Sequence, residues 1–290
     1  MRKEPARWES FIYLKIISNM KRTRTFLVAL MMIAANAAIA QCPITNTAFN
    51  SGEVLSYNLY YNWQFVWVKV GTASLSTVST KYNGTSAYKT SLITRGNGKL
   101  DKYFVMRDTL TAYTNTTLSP LYFRKGALEG KRYTVDEVWY SYPNGKCNVK
   151  MHRLKHDKTH LRSEKTLNEC VYDMLNIFTR ARSYDASKWQ KGHSIKFTVA
   201  DGNGVTTALL KYSGKETVKG DNGVKYRCLK LSYQEWSNKK KKYKQFGSFY
   251  VTDDDNHVPV RLDVVLNVGN AKAYVSTMKG LRNPVSCIVK

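Results

Sequence analysis

From Ser51 onward, apolar and polar residues alternate with period two, and β-branched and aromatic residues fill the apolar positions. That pattern marks half-buried strands. It predicts strands over Val54–Tyr61 and Phe65–Val78, joined through Asn62-Trp63-Gln64. Further strands are expected over Ala87–Thr94, Tyr103–Tyr113, Leu121–Lys125, Arg132–Tyr142 and Cys147–Leu154. A second run covers Ser194–Ala200, Thr206–Tyr212, Gly223–Tyr233, Tyr243–Val251, Val258–Val268 and Ala271–Met278. Asn83-Gly84, Gly96-Asn97-Gly98, Glu129-Gly130, Pro143-Asn144-Gly145 and Asp201–Gly204 supply the breaks, because Gly, Asn and Asp tolerate turn backbones. Roughly a dozen strands at this spacing make a sandwich or a barrel.

One segment departs from the pattern. In Asn168–Tyr184, Val171, Met174, Leu175 and Phe178 fall at i, i+3, i+4 and i+7, one face of a helix. Asn168 is its expected N-cap, with Arg180 and Arg182 in the last turn. Within Val224–Tyr233 the apolar face changes from Val224, Tyr226 and Cys228 to Leu229, Leu231 and Tyr233, which predicts a β-bulge near Cys228. No linker or repeat divides the chain, so one domain is expected over residues 41–290, founded on the hairpin within Phe49–Leu75. Glu53, behind Gly52 at a strand start, is expected to hold a basic partner rather than to act as a catalyst.

Residues 1–40 belong to export. Met20–Ala40 has a basic start (Lys21, Arg22, Arg24), an apolar run from Phe26 too short for an ordinary membrane span, and Ala38-Ile39-Ala40 as a cleavage site. Met20 is therefore the expected true start. Cys42 close behind the apolar run raises a lipoprotein as an alternative, but Gln41 is not the small residue that lipid attachment requires. Cleavage at Ala40 leaves 250 residues carrying +20, since residues 1–40 hold seven Lys/Arg and two Asp/Glu. Such a surface favours anionic partners, namely acidic lipid or acidic glycan, and export removes nucleic acid from that set. The expected location is the periplasm or outer cell envelope, with secretion as an alternative and no membrane span after leader removal.

Cys42, Cys147, Cys170, Cys228 and Cys287 include no CxxC pair, so zinc and thioredoxin-like chemistry have no support. Disulfides are permitted in an exported chain. Cys42–Cys287 and Cys147–Cys170 are both geometrically imaginable, and Cys228 is the expected free thiol.

The ordered series Phe49, Gly52-Glu53, Leu55, Tyr57, Val70-Gly71-Thr72-Ala73 and Leu75 resembles the opening of the exported bacterial domain-of-unknown-function 3108 family. The similarity continues through Leu100-Asp101, Phe104, Arg107-Asp108, Leu118-Ser119-Pro120, Tyr172-Asp173-Met174-Leu175 and Arg180. Gly192, Asp201-Gly202, Gly223–Leu229, Asp253 and Val258-Pro259-Val260-Arg261 close it. The resemblance implies an envelope location and a mainly β fold, a single curved antiparallel sheet (half-barrel or open barrel) packed around one helix. It implies no activity and no catalytic residues.

Few groups suggest chemistry. His152, His156 and His160 would line one face of a helix, but a strand turning at His156-Asp157-Lys158 fits better and is expected to separate them. Asp253-Asp254-Asp255-Asn256-His257 lacks the glycine and distal glutamate of an EF-hand, and reads as an acidic turn. No metal or cofactor is implied. GxSxG, HExxH, Walker and GxGxxG motifs are absent. Tyr57, Tyr61, Trp63, Trp67 and Trp139 are candidates for an apolar ligand groove. Lys239, Lys240, Lys241, Lys242 and Lys244 form a candidate anionic-surface contact, set against a plain solvated hairpin tip.

The function expected is a non-catalytic cell-envelope protein binding a lipid or other amphiphile in a sheet groove. An envelope hydrolase or glycan-processing enzyme with a dispersed site is one alternative. A structural partner in an envelope assembly is another.

Overall fold

The computed structural model describes residues 42–63, 66–103, 105–266 and 269–290; the expected leader and its cleavage site lie outside them. The first half of the sheet comprises β1 (Phe49–Trp63), β2 (Val66–Tyr82), β3 (Thr85–Gly96), β4 (Met106–Asn115), β5 (Pro120–Glu129), β6 (Arg132–Ser141), β7 (Cys147–Leu154) and β8 (His160–Leu167). Then come β9 (Val171–Tyr172), helix α1 (Met174–Ala181), β10 (Ser194–Ala200), β11 (Val205–Lys219) and β12 (Lys225–Ser237). β13 (Lys242–Thr252), β14 (Pro259–Val265), β15 (Asn270–Leu281) and β16 (Ile288–Val289) complete the order.

These strands form one curved, nearly closed sheet in the order β8-β7-β6-β5-β4-β3-β2-β1-β15-β14-β13-β12-β11-β10-β9, with β16 pairing β12. Pairing is antiparallel except between β9 and β10. β1 is the middle strand of this series, flanked by β2 and β15, so the opening hairpin sits at the centre of the sheet.

The two ends of the sheet meet through side chains. Arg153 of β7 pairs with Asp136 of β6 (2.5 Å) and reaches Asp201 in the β10–β11 turn (3.3 Å). A Cβ on Gly202 would collide with Asp136 and the His152 carbonyl, so only glycine permits this approach. The main apolar cluster accordingly joins Leu55, Leu75 and Val149 from one half to Val171, Ala200 and Val260 from the other.

The helix departs from its expected extent. Val171 and Tyr172 pair in parallel with Thr198 and Val199, so the helix begins only at Met174. Its N-cap is Asp173, not Asn168: the buried carboxylate accepts from the backbone N–H of Leu175 and Asn176. Met174, assigned to the apolar face, is 53% exposed, whereas Asn176 and Thr179 are buried.

The bulge is also relocated. Along β12 every residue from Cys228 to Tyr233 is paired on both sides, and the register shifts lie on β11 between Tyr212 and Gly214 and, against β13, between Tyr233 and Gln234. The apolar face changes because both faces of β12 are covered. Tyr226 and Cys228 join the main cluster with Cys287, while Leu229 and Leu231 join a second cluster with Ile177.

Cys42 bonds Cys170, which corrects both imagined pairings. Cys147, Cys228 and Cys287 are free and buried.

Candidate functional site

A buried ion pair fastens the helix end to the central hairpin. Gly52 takes φ +92°, a conformation that glycine adopts freely, and the next residue, Glu53, is buried. Both Glu53 oxygens accept from Arg182, at 2.5 and 2.8 Å, and the Arg182 Nε donates to the Asn256 carbonyl at 3.0 Å. Glu53 thus has the basic partner expected of it. Beside the pair, the Tyr57 hydroxyl is buried without a hydrogen-bond partner, and burial raises its pKa. Asp173 forms a second buried knot, accepting from the Tyr140 hydroxyl at 3.1 Å. Burial lifts the Asp173 carboxyl to about 6 against the hydrogen bonds that favour its ionised form.

The free thiols lack the electropositive, partly exposed setting of a nucleophilic cysteine. Burial pushes Cys147 up to about 11, and Cys228 and Cys287 up to about 12. Asp253 is bound by Arg227 (2.6 Å) and Lys215 (2.8 Å). Asp254 accepts from the Thr252 hydroxyl (2.7 Å) and the Asn256 N–H (3.1 Å), as an acidic turn should. Among the described residues no group of three or more His, Cys, Asp and Glu is placed to hold a metal ion.

The expected separation of the histidines is half overturned. The β7–β8 hairpin leaves His156 apart in the turn but stacks His152 on His160, with Nε2 and Nδ1 2.8 Å apart. Glu137 lies 3.0 Å from the His152 Nδ1 and accepts from the Tyr122 hydroxyl at 2.6 Å. Burial opposes ionisation of Glu137, but its bonds to Tyr122 and His152 outweigh that and hold its carboxyl below the usual range. Helical spacing in the sequence could not show this meeting; hairpin register produces it.

The groove candidates do not share one place. Tyr57 is inside the main cluster, Trp139 faces outward on β6 against Tyr122, and Trp67 stands near the β1–β2 tip with the Lys272 ammonium 4.2 Å from its ring centre. Tyr61 is half-buried near the same tip, packed beside Gly269. Trp63 ends β1, and its side chain is outside the described ones.

That tip belongs to a larger arrangement. Trp63 pairs with Val66, Val265 with Asn270, and Ser237 with Lys242, so three hairpins turn at one end of the sheet. Tyr61 pairing with Ala271, and Gly247 with Val264, makes that end common to all three. Val66, Trp67 and Val68 on one hairpin, and Val264, Val265 and Leu266 on another, are exposed. Lys239, Lys240, Lys241, Lys242 and Lys244 occupy the third, also exposed. A shallow pocket of about 260 Å³ lies elsewhere, beside the disulfide, lined by Tyr172, Tyr184 and Phe197 among others. Among the described residues no helix is long and apolar enough to cross a membrane.

Comparison with known proteins gives a family and a fold. The model of the family described as "Protein of unknown function (DUF3108)" matches residues 56–276. No curated protein matches the chain. A β-barrel-like protein of the DUF1849 family from Brucella abortus superposes with a TM-score of 0.51 at 10% identity, covering 82% of this chain and 100% of that one. A protein with a YmcC-like fold from Bacteroides fragilis gives 0.33 at 12% identity, and a candidate lipoprotein from Parabacteroides distasonis 0.33 at 13%. Each of these also covers 82% of this chain and 100% of its own.

Proposed function

This chain belongs to the DUF3108 family, and from that premise we propose that it is a non-catalytic envelope protein that binds anionic amphiphiles at one rim of its open barrel. The observation that carries this is the shared rim: exposed Val66, Trp67, Val265 and Leu266 beside the hairpin bearing Lys239–Lys244. Apolar and aromatic tips suit the acyl boundary of a lipid, while lysines suit its acidic headgroups at about 1 kcal/mol each near a charged surface. A net charge of +20 over residues 41–290 works in the same direction at longer range.

The leader-like Met20–Ala40 and the Cys42–Cys170 disulfide support an exported, oxidising location. With its thiol in that bond, Cys42 is not free to carry a lipid. An amphiphile enclosed in the sheet has less support than one met at the rim, because ligand cavities usually measure about 300–1,000 Å³ and the sheet interior is filled by its own side chains. Inert thiols and an ionised, hydrogen-bonded Glu137 favour binding over catalysis.

Co-sedimentation with vesicles tests the proposal. The protein should pellet with phosphatidylglycerol-containing vesicles and remain in solution with pure phosphatidylcholine. Reversing Lys239–Lys242 to Glu should weaken binding at least about tenfold. Trp67→Ser with Val265→Ser should weaken what survives in high salt, where exposed charges are screened. Equal pelleting by wild type and the charge-reversed protein would remove the rim from consideration.

A further inference from the structure

Outward-facing positions of an antiparallel sheet are ordinarily polar. On β4–β6 one outward row is aromatic instead. Ala112, Phe123 and Val138 point into the main cluster, so Tyr113, Tyr122 and Trp139 occupy the opposite, solvent face. Direct register aligns them across the strands: Lys89 faces Tyr113, Tyr113 faces Tyr122, Tyr122 faces Trp139, and Trp139 faces Lys150. Tyr82 extends the row, its ring 4.9 Å from Tyr113 and 6.0 Å from Tyr122. Trp139 lies 5.6 Å from Tyr122 and is 38% exposed.

A parallel polar row runs beside the rings. Thr111 faces Arg124, Arg124 faces Glu137, Glu137 faces His152, and His152 faces Arg162. Cross-strand ring contacts alone would stabilise a sheet. They do not account for a ladder of half-buried rings that opens to solvent at Trp139, ends in lysine on both sides, and borders a polar row.

We infer that this face is a binding platform for an acidic polysaccharide. The rings would take the apolar faces of successive sugar units, on strands spaced about 4.8 Å apart. Arg124 and the spare acceptor capacity of Glu137 border the rings and suit sugar hydroxyls, while both ring nitrogens of His152 are engaged by Glu137 and His160 and hold that row in place. Lys89, Lys150, Arg124 and Arg162 exceed the neighbouring carboxylates Glu137 and Glu164, which selects a carboxylated or sulfated chain over a neutral one. Glu137 is already hydrogen-bonded by Tyr122, so the polar row is ordered before any ligand arrives. The platform is separate from the lysine-bearing rim and does not depend on lipid binding there.

Tryptophan fluorescence titration and affinity electrophoresis with alginate, dextran and polyglutamate test this. Alginate should bind and quench fluorescence, dextran should not, and polyglutamate should bind much more weakly because it offers charge without sugar faces. Trp139→Ala and Tyr122→Phe/Trp139→Ala should each weaken alginate binding about tenfold or more with circular dichroism unchanged, since the ring is surface-placed. Reversal of Lys239–Lys242 should leave alginate binding intact. Failure of wild type to bind alginate, equal binding by Trp139→Ala, or equal affinity for polyglutamate would each overturn the platform.

Discussion

At the residue scale, the Glu53–Arg182 pair shows what burial asks of charge. Both side chains are almost wholly removed from water, and each hydrogen bond of the carboxylate comes from one guanidinium. Removing one partner strands the other without solvation. Glu53→Ala or Arg182→Ala should therefore cost about 3–5 kcal/mol, read from the urea unfolding midpoint. Glu53→Leu with Arg182→Leu should cost less than the two single losses combined, because no orphan charge remains. Additive losses would show that the pair is not coupled.

Asp173 behaves in the opposite sense. Its folded-state pKa of about 6 lies above the ordinary 3.8, so the folded protein binds the extra proton between those values. Stability from this residue must then fall as pH rises from about 4 to 6, by about 3 kcal/mol in total. Comparison of urea midpoints with Asp173→Asn, which still caps a helix, should remove that pH slope. A slope unchanged in the variant would assign it to other groups.

Elements show where local pattern yields to pairing. Val171 and Phe178 do sit at helical spacing, yet β9 captures Val171 and Tyr172 as a parallel partner of β10. Once those residues are extended, Asp173 is the first side chain able to cap two N–H groups. The helix then buries Arg180 against the Cys42 carbonyl as well as its apolar residues, which no amphipathic template anticipates.

The Cys42–Cys170 bond ties the segment before β1 to the residue before β9, across a sequence separation of 128. Closing so long a loop should stabilise by about 4–5 kcal/mol in the chain-entropy account. Reductant, or Cys42→Ser, should lower the thermal midpoint accordingly. Peptide mapping without reduction should recover Cys42 linked to Cys170; a Cys147–Cys170 peptide would contradict the assignment.

Across the whole molecule, the strands and most turns were legible because alternation and turn chemistry act within a few residues. The single curved sheet and its lone described helix agree with the resemblance drawn from the same residues. The surfaces proposed for binding were legible only in part. The lysine run was visible as a run, but the apolar tips beside it belong to hairpins far away in sequence. The tyrosines and tryptophans were visible as aromatics. Which of them lie in the core, as Tyr57 does, and which face solvent, as Trp139 does, follows from sheet closure.

The strand-rich class, the basic charge, the central place of the Phe49–Leu75 hairpin and the demand of Glu53 for a basic partner all follow from local sequence alone. Tertiary structure decided that this partner is Arg182, 129 residues away, that Cys42 bonds Cys170, and that His152 meets His160. The reason is range: period two and turn propensity are properties of neighbouring residues. Partners across a closed sheet are set by register, which only the burial of the whole core fixes.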